Sequence, residues 1–556
     1  MLLQTPISSR HRFAGDLARA AEVAGVLVKY GLAGWLTRIH WQPFHDALKS
    51  HGGEVLPDQP FEARVRLALT DLGTTFIKLG QMLSTRPDMV GQAMAKELSK
   101  LQSHTPPDPP ELAVRTIEAE LGRPISECFA SFNAVAYASA SIGQVHEAKL
   151  KSGRRVVVKV QHPGIEGVIR RDLDILRFLA EIAEANDTLK RFQPVVLIRE
   201  FGHVTLNELD FRRELRNLQI FRRNFAGDET VVFPRPYPAL TSGRVLTMDL
   251  LQGCRVTEDK QLDKLGIARQ ELAQRGATAF LQMIFRDGFY QADPHPGNFI
   301  VLRGGKIGLI DAGMVGRVDE QCRTQIEDIL MAAGDQDLDR LTENVLHITG
   351  RPQHCDRQAL SADLNELFQD YATQPVEELD VGGLLGQATD ILHRHKLILP
   401  GKMSTLIKCL ILLEGTGRLL SPTFSLASLL APWKSQMTLR RLSPKARIKK
   451  LSRMFVEWER LAVAIPRVVL NTMDRFEAGQ LAIRLEHRNL KSAVNRLIGG
   501  MFISALLLSS ALLISRNIPP LAWSVSIPGA LGYIVALFFG AHLLWMYRRK
   551  ANTDEE

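Results

Sequence analysis

The chain has 556 residues, of which 45% are hydrophobic and 23% charged, and its formal net charge is +9. That length is too great for one compact core, so two or three structural units are expected. The five cysteines are isolated, with no C-x-x-C pair, which argues against a disulfide scaffold and against a zinc site. Zinc-finger, helix-turn-helix and aromatic-interleaved basic patterns are missing, so no nucleic-acid partner is expected.

The N-terminal part is predicted to be helical. Residues 12–50 and 61–102 have amphipathic patterns, and the second segment contains TTFIKLGQMLSTRPD. The first residues lack a basic region followed by an apolar one, so no secretory signal is predicted. The proline-rich segment HTPPDPPE, residues 104–111, then marks a break between two parts of the chain.

A strand-rich region follows this break. The sequence predicts a strand, a loop and a second strand in VAYASASIGQVHEAKL, a turn at KSGR and a third strand in RVVVKVQHP. A helical stretch over 164–225, a strand over 245–251 and a helix over 264–288 come next. FIVLRGGKIGLID predicts two strands around a glycine turn, and residues 320–495 are again predicted to be helical.

The C-terminal end has the character of a membrane anchor. Residues 497–515 contain no Asp, Glu, Lys or Arg, and the run from Leu521 to Tyr547 contains none either. Either run is long enough to cross a hydrocarbon core of about 30 Å. Basic residues flank the pair on both outer sides, which predicts a multi-pass protein of a bacterial-type inner (plasma) membrane with its soluble body in the cytoplasm.

A cluster of Lys and Arg within residues 434–453 precedes this anchor. It is either a solvated helix face or a surface that binds anionic lipid headgroups. The pattern alone favours neither interpretation.

Four residues, in order along the chain, suggest a nucleotide site. Lys159 lies in the apolar strand VVVKV, as does the kinase lysine that reaches the α- and β-phosphates. Asp293 and Asn298 follow the kinase catalytic-loop pattern D-x-x-x-x-N, and Asp311 ends the apolar strand before AG. Taken singly, each acid is a common turn residue, and Lys159 could lie on the solvated face of an edge strand. Their joint order indicates an Mg²⁺-ATP site.

Two further parts of such a site are less specific. A kinase glutamate holds the strand lysine, and NELDFRRELRN offers both Glu208 and Glu214 for this task, with no spacing rule that selects one. The segment ASASIGQ, residues 138–144, takes the place of a glycine-rich phosphate loop but has only one glycine. His295 within the catalytic loop is interpreted as a structural hydrogen-bonding residue.

Together these motifs resemble the UbiB family of atypical, protein-kinase-like ATPases. KLGQ matches the family's KxGQ element, ASASIGQVH its alanine-rich loop and VVVKV its lysine strand. ELD matches the ExD element, DPHPGN the catalytic loop and DAG the metal-binding triplet. The resemblance is strong over residues 60–320, and it extends in architecture to the membrane hairpin.

The resemblance implies an α+β, bilobal protein-kinase-like fold with an N-terminal helical extension and two C-terminal transmembrane helices. The implied domains are the extension with KxGQ (1–110), the N-lobe (111–255), the helical C-lobe (256–495) and the transmembrane hairpin (496–550).

The implied cofactors are ATP and Mg²⁺. By this resemblance Lys159 binds the phosphates, Asp293 is the catalytic aspartate, and Asn298 and Asp311 ligate the metal. The loop over the nucleotide would consist of Ala138, Ser139, Ala140, Ser141, Ile142, Gly143, Gln144 and Val145.

The resemblance also implies roles outside the catalytic loops. Lys78 and Gln81 belong to an extension that folds over the place where a kinase holds its peptide. Glu208 and Asp210 contact that extension or the metal site, and Glu214 remains the other candidate partner of Lys159.

The implied function is a membrane-anchored, Mg-ATP-dependent atypical kinase or ATPase that promotes ubiquinone biosynthesis. Its implied partners are membrane lipids and quinone precursors, or the enzymes that modify them, and a homodimer is left open. One alternative is a small-molecule phosphotransferase of the aminoglycoside or choline kinase type, which needs neither the KLGQ extension nor a membrane anchor. Another is a non-catalytic lipid-binding scaffold, against which the four intact site residues argue.

Overall fold

The computed structural model describes residues 17–32, 59–101, 105–186, 190, 192–352, 355–372, 374–375, 377–430, 433, 490–516, 518–522 and 525–551. The chain divides into two units, Met1–Ala446 and Arg447–Glu556, and each is treated separately. The predicted helical positions at 33–50 and the basic cluster at 434–453 lie outside the described residues.

Helices make up most of the first unit. In chain order they are α1 (Leu17–Lys29), α2 (Phe61–Asp71), α3 (Thr74–Leu83), α4 (Pro87–Val90), α5 (Gln92–Leu98), α6 (Pro110–Leu121), α7 (Ile125–Cys128), α8 (Ile165–Glu184), α9 (Pro194–Glu208), α10 (Phe211–Asn224), α11 (Asp259–Lys264), α12 (Arg269–Leu281), α13 (Glu320–Gly334), α14 (Leu338–Ile348), α15 (Arg357–Ala372), α16 (Val381–Arg394) and α17 (Gly401–Leu420).

The strands of the first unit form three sheets. They are β1 (Ser131–Phe132), β2 (Ala138–Ser139), β3 (Gly143–Lys149), β4 (Arg155–Gln161), β5 (Val231–Val232), β6 (Val245–Asp249), β7 (Gly253–Arg255), β8 (Phe289–Gln291), β9 (Phe299–Leu302), β10 (Ile307–Leu309) and β11 (Val315–Arg317). β1, β3, β4 and β6 are neighbours in an antiparallel sheet that β2 joins through β3. β5, β10, β9 and β7 form the second sheet, and β8 pairs with β11 in the third.

The predicted glycine turn joins β9 to β10. Gly304 and Gly305 have φ of +79° and +72°, values that glycine adopts readily and other residues rarely do. This turn lets β10 fold back antiparallel to β9, with Phe299 opposite Leu309. The sequence-based prediction of a hairpin at this position is confirmed.

The long helical stretch predicted for residues 164–225 is divided into α8, α9 and α10 in its described residues. α8 and α9 are separate, and Gln193 before α9 has a left-handed φ of +48°. The break between α9 and α10 is made by Asp210, whose side chain accepts a hydrogen bond from the Arg212 backbone nitrogen at 3.2 Å and caps α10. The helix predicted over 264–288 begins later than predicted, at Arg269, because Gly266, with φ of +65°, separates α12 from α11. Its predicted end is close to the observed one, since a π-helical segment, Gln282–Asp287, continues α12 up to Gly288.

The N-terminal helices pack on both lobes of the first unit. Phe76 and Leu79 of α3 share an apolar core with Leu173 of α8 and Phe201 of α9. At the other end of the extension, the segment before and within α4 attaches to the helical lobe. There Asp88 accepts hydrogen bonds from the Arg86 guanidinium and from the Leu399 backbone nitrogen at 3.0 Å.

The described part of the second unit, from residue 490 on, contains two helices, α18 (Leu490–Ser515) and α19 (Ile527–Ala551). They are joined through the short strands β12 (Leu521–Ala522) and β13 (Val525–Ser526). The helices pack closely because glycines meet Ser510, as in membrane helix pairs: a Cβ on Gly532 would lie 2.3 Å from Ser510 Oγ.

One helix in the described residues, Ile498–Ser515, is long and apolar enough to cross a membrane, and the second apolar stretch, Ile527–Ala541, is shorter. The second helix also begins later than predicted, at Ile527, because Leu521–Ala522 and Val525–Ser526 form the paired strands β12 and β13. Two transmembrane helices are therefore not confirmed by the structure.

The Arg86–Asp88 pair predicts a large stability effect. Its side chains are 7% and 1% exposed, so Asp88→Ala leaves a buried guanidinium without its carboxylate. We expect the free energy of unfolding to fall by about 3–5 kcal/mol, as is typical when one partner of a buried pair is removed. Urea denaturation of the full chain measures this change. Asp174→Ala is the matched control, because the Arg177–Asp174 pair is exposed; equal midpoints for the two variants would contradict the prediction.

Candidate functional site

Strand pairing brings the two acidic loops of the site together. The catalytic loop connects β8 to β9, and the DAG segment connects β10 to β11. β8 pairs with β11, with Gln291 opposite Val315, and β9 pairs with β10. Both loops therefore lie at the same end of these strand pairs, and the Ile310 backbone nitrogen donates to the Asn298 carbonyl at 3.2 Å. This pairing places Asp293, Asn298 and Asp311 in one region.

Hydrogen bonds within the catalytic loop hold its shape. The Asn298 side-chain nitrogen donates to the Asp293 carbonyl at 3.0 Å, and the Gln291 side-chain nitrogen donates to the same carbonyl at 2.8 Å. His295 Nδ1 accepts from the Gly297 backbone nitrogen at 3.2 Å. The structure thus places His295 in a structural contact, and it leaves the Asn298 amide oxygen as the atom suited to a cation.

Lys159 pairs with Glu214, which settles the choice that the sequence left open. Lys159 Nζ lies 2.5 Å from Glu214 Oε1 and 3.7 Å from Asp311 Oδ1. Burial alone would lower the pKa of Lys159, but the charges of Asp311 and Glu214 outweigh it, and the pKa lies above its ordinary value. Lys159 in turn holds the pKa of Asp311 below its ordinary value, so this carboxylate is ionised at neutral pH.

Glu208 contacts the N-terminal extension. Its carboxylate forms an ion pair with Lys78, whose positive charge also contributes to the lowered pKa of Asp311. Gln81, one turn further along α3, donates to the Leu101 carbonyl at 3.1 Å. Asp210 caps α10 and pairs with Arg212 at 2.7 Å. Among the described residues, Glu208 therefore carries the link to KLGQ, and Asp210 makes a local helix contact.

The alanine-rich loop is a tight β-hairpin beside Lys159. In three adjacent strands, Ala138 lies opposite Val145, and Val145 lies opposite Lys159. Their side chains therefore share one face of the sheet. Ser139 and Gln144 are paired with each other and share the opposite face. The Gln144 side-chain oxygen accepts from the Asp108 backbone nitrogen at 2.9 Å. The predicted nucleotide-loop residues thus divide between the two faces of the sheet.

Gly143 lets this hairpin approach the lysine strand closely. A Cβ at this position would lie 2.3 Å from the Val160 carbonyl oxygen, which belongs to the backbone and has little room to move. The single glycine of the loop is therefore required for close packing.

The sequence did not reveal three contacts that shape the site. Asn217 of α10 donates to the Ala312 carbonyl of the DAG segment at 2.8 Å. Its place three residues after Glu214, on the same helix face, was a usable signal. His162 joins the proline-rich segment to the alanine-rich loop, through Asp108 at 2.6 Å and the Ala140 carbonyl at 2.8 Å. Lys408 of α17 lies 3.7 Å from Asp293, and no sequence pattern connects the two.

The donor set fits Mg²⁺ that is shared with phosphates. No group of three or more His, Cys, Asp or Glu side chains suited to a metal occurs among the described residues. The site instead offers carboxylate and amide oxygens from Asp311, Asn298 and Asp293. Mg²⁺ prefers such oxygens and completes its octahedron with phosphate and water, so these residues fit a nucleotide-bound ion.

Three parts of the chain match domains of known families. Residues 100–345 match the ABC1 atypical kinase-like domain, residues 364–425 the UbiB helical domain, and residues 484–549 the ABC1/UbiB kinase-like C-terminal domain. A protein of Pseudomonas putida named "Probable protein kinase UbiB" is 36% identical over 70% of this chain and 74% of its own length. The chain belongs to the UbiB family.

Other similar proteins have less informative names. An uncharacterized protein of Clostridium pasteurianum, from the 5' region of hydrogenase 1, is 28% identical over 95% of this chain and 98% of its own. The solved complex of Rv3197 with erythromycin from Mycobacterium tuberculosis is 24% identical, with a TM-score of 0.44 over 63% of this chain and 90% of the other. A likeness at that score carries no argument about function.

The membership confirms the sequence-based identification of the family and the kinase-like fold. It also supports a kinase-like class of protein that uses ATP, typically with Mg²⁺. The specific roles of individual site residues remain predictions.

The close approach at Gly143 predicts a sharp effect of a single methyl group. Gly143→Ala must displace the alanine-rich hairpin from β4, and we expect a loss of stability of about 1–3 kcal/mol together with weaker MgATP binding. Urea unfolding and titration with a fluorescent ATP analogue measure the two effects. Gly167→Ala in α8 is the control, since a Cβ there meets nothing within 4 Å. An unchanged affinity in Gly143→Ala would show that the hairpin does not set nucleotide binding.

Proposed function

We propose that the protein is an Mg-ATP-dependent atypical kinase or ATPase whose reaction occurs between the catalytic loop and the DAG segment. The observation that carries this proposal is the cluster of Lys159, Glu214 and Asp311, with Glu214 buried, beside the loop that bears Asp293. In a kinase site the equivalent groups bind phosphates, orient the lysine and hold the metal.

Each side chain then has a separate task. The Lys159 ammonium binds phosphate oxygens, and Glu214 keeps it oriented toward them. Asn298 and Asp311 hold Mg²⁺, which when bound neutralises charge on the phosphates. Asp293 orients the attacking hydroxyl group or water and accepts its proton.

We further propose that water, or a small lipid-like acceptor, replaces a protein substrate. The support is the ion pair between Lys78 of the KLGQ helix and Glu208, together with the influence of Lys78 on Asp311. The extension thus contributes a charged side chain close to the site where a peptide would bind in a kinase. Phosphorylation of other proteins in trans is not favoured by this arrangement.

The proposed setting is an inner membrane, with ubiquinone biosynthesis as the process served. The apolar helix Ile498–Ser515 and the tightly packed α18–α19 pair support an anchor, and the family resemblance supports the process. The proposed clients are quinone precursors, membrane lipids or the enzymes that modify them. We propose the cytoplasmic side for the body because basic residues flank the anchor.

The catalytic assignment predicts that Asp293→Asn abolishes hydrolysis and spares binding. The substitution removes the proton acceptor but keeps the size of the side chain, so we expect Mg-dependent ATP hydrolysis to fall by about 10²-fold or more. Phosphate release measures the rate, and a fluorescent ATP analogue measures affinity. Asp339→Asn serves as control because that side chain is 93% exposed. A variant of Asp293 that hydrolyses ATP at the wild-type rate would rule out the assignment.

The biosynthetic assignment predicts a cellular phenotype that follows hydrolysis. In a strain that lacks the gene, we expect wild type to restore ubiquinone content and Asp293→Asn and Asp311→Asn to fail. Extraction and chromatography of quinones measure the content, with immunoblots to match expression. If the inactive variants restored ubiquinone fully, the process served would be a different one, whether or not the protein hydrolyses ATP.

A further inference from the structure

The catalytic loop lacks a cation of its own. The loop reads Asp-Pro-His-Pro-Gly-Asn from Asp293 to Asn298, with no lysine or arginine. Phosphoryl transfer builds negative charge on the phosphate oxygens and on the leaving group, and kinases and GTPases place positive charge there. Lys159 is already shared between Glu214 and Asp311. Besides Mg²⁺ and Lys159, a side-chain cation at the Asp293 end of the site therefore has to come from another part of the chain.

Lys408 lies in the position to supply it. Its Nζ is 3.7 Å from Asp293 Oδ1, and the two side chains are 23% and 38% exposed, so both are accessible from the site. This distance exceeds the 2.7–2.9 Å of a direct charge-assisted hydrogen bond. The ammonium is thus attracted to Asp293 without being fully engaged by it, and it can donate to a further oxygen.

The helix that carries Lys408, α17, is attached to the chain at two points, one before Asp293 and one after it. Cys409 Sγ donates to the Gln291 carbonyl at 3.5 Å, and the Thr416 hydroxyl donates to the Pro294 carbonyl at 2.9 Å. Cys409 is fully buried and Thr416 nearly so. These contacts fix the register of α17 against the loop, so the proximity of Lys408 to Asp293 is a built feature and not the chance position of a long side chain.

We propose that Lys408 is a catalytic residue that binds the transferred phosphoryl group at Asp293. This inference rests on the proposed ATP-dependent function and adds a residue from the segment that matches the UbiB helical domain. In the reaction, the bond between the γ-phosphorus and the oxygen that bridges it to the β-phosphate breaks. That oxygen keeps the electron pair, and ADP is the leaving group. The γ-phosphorus bonds to the water oxygen, and the water proton passes to Asp293. Lys408 donates hydrogen bonds to the γ-phosphoryl oxygens as charge develops on them in the transition state.

The test compares three variants of the full-length protein in detergent: Lys408→Met, Lys408→Arg and Lys402→Met. Lys402 is the matched control, because it lies on the same helix, is 63% exposed and pairs with Asp319 at the surface. The measurements are kcat for ATP hydrolysis, the Kd for MgATP, and the Kd for MgADP with aluminium fluoride, which imitates the phosphoryl group in transfer. Thermal melting shows whether each variant is folded.

For Lys408→Met we expect kcat to fall by about 10²-fold, as when one donor to a developing charge is removed. The Kd for MgATP should change by less than about threefold, while the aluminium fluoride complex should weaken in proportion to kcat. Lys408→Arg should recover part of kcat and part of the affinity for the aluminium fluoride complex. Lys402→Met should match wild type in all three measurements. A purely structural lysine would instead weaken both ligands equally and lower the melting temperature.

Two results overturn the inference and are distinct from each other. If wild type hydrolyses ATP and Lys408→Met does so at the same rate, or loses ground-state and transition-state binding equally, Lys408 has no catalytic role and the proposed function stands. If the Met variant does not fold, Lys408→Gln, which removes the charge and keeps a polar side chain, is measured in its place, and a wild-type kcat together with a wild-type aluminium fluoride affinity would count against the inference. If wild type hydrolyses no ATP, the proposed function fails and this inference fails with it.

Discussion

The lysine held between two carboxylates is the interaction on which the organisation of the site depends. Lys159 comes from the N-terminal sheet, Glu214 from α10, and Asp311 from the loop after β10. A partly buried ammonium group is costly unless carboxylates compensate it, and a buried carboxylate has the same requirement. The sheet, the helix and the catalytic hairpin must therefore meet at one point, and Asn217 reinforces the same junction through the Ala312 carbonyl.

The N-terminal extension contacts two separate parts of the first unit. Its helix α3 packs on α8 and α9, and its segment at Asp88 is bound to the backbone of Leu399, just before α17. One continuous segment thus contacts both sides of the kinase-like fold. An ordinary kinase moves its lobes to admit substrates, and contacts on both lobes limit such movement. This constraint agrees with a site that serves water or a small acceptor.

Local patterns predicted much of this molecule because their chemistry is local. The glycine turn after β9, the apolar lysine strand and the acidic loop follow from residues close together in the chain, and all are found where they were expected. Contacts between distant residues were out of reach. Nothing in the spacing connects Lys408 with Asp293, and periodicity could not show that Glu214, and not Glu208, faces Lys159. Helix limits were also missed, because Gln193, Asp210 and Gly266 interrupt the apolar pattern only slightly.

The sequence by itself determined the family and the kinase-like class, and it predicted the residues proposed to bind phosphate and metal, because these are carried by side chains in short, ordered motifs. Only the tertiary structure decided which of those residues lie together and which side chains form ion pairs. Strand pairing places Asp293 beside Asp311, and helix packing gives Glu214 to Lys159 and Glu208 to Lys78. The reason is that an ion pair is selected by distance in space, and Glu208 lies 130 residues along the chain from Lys78.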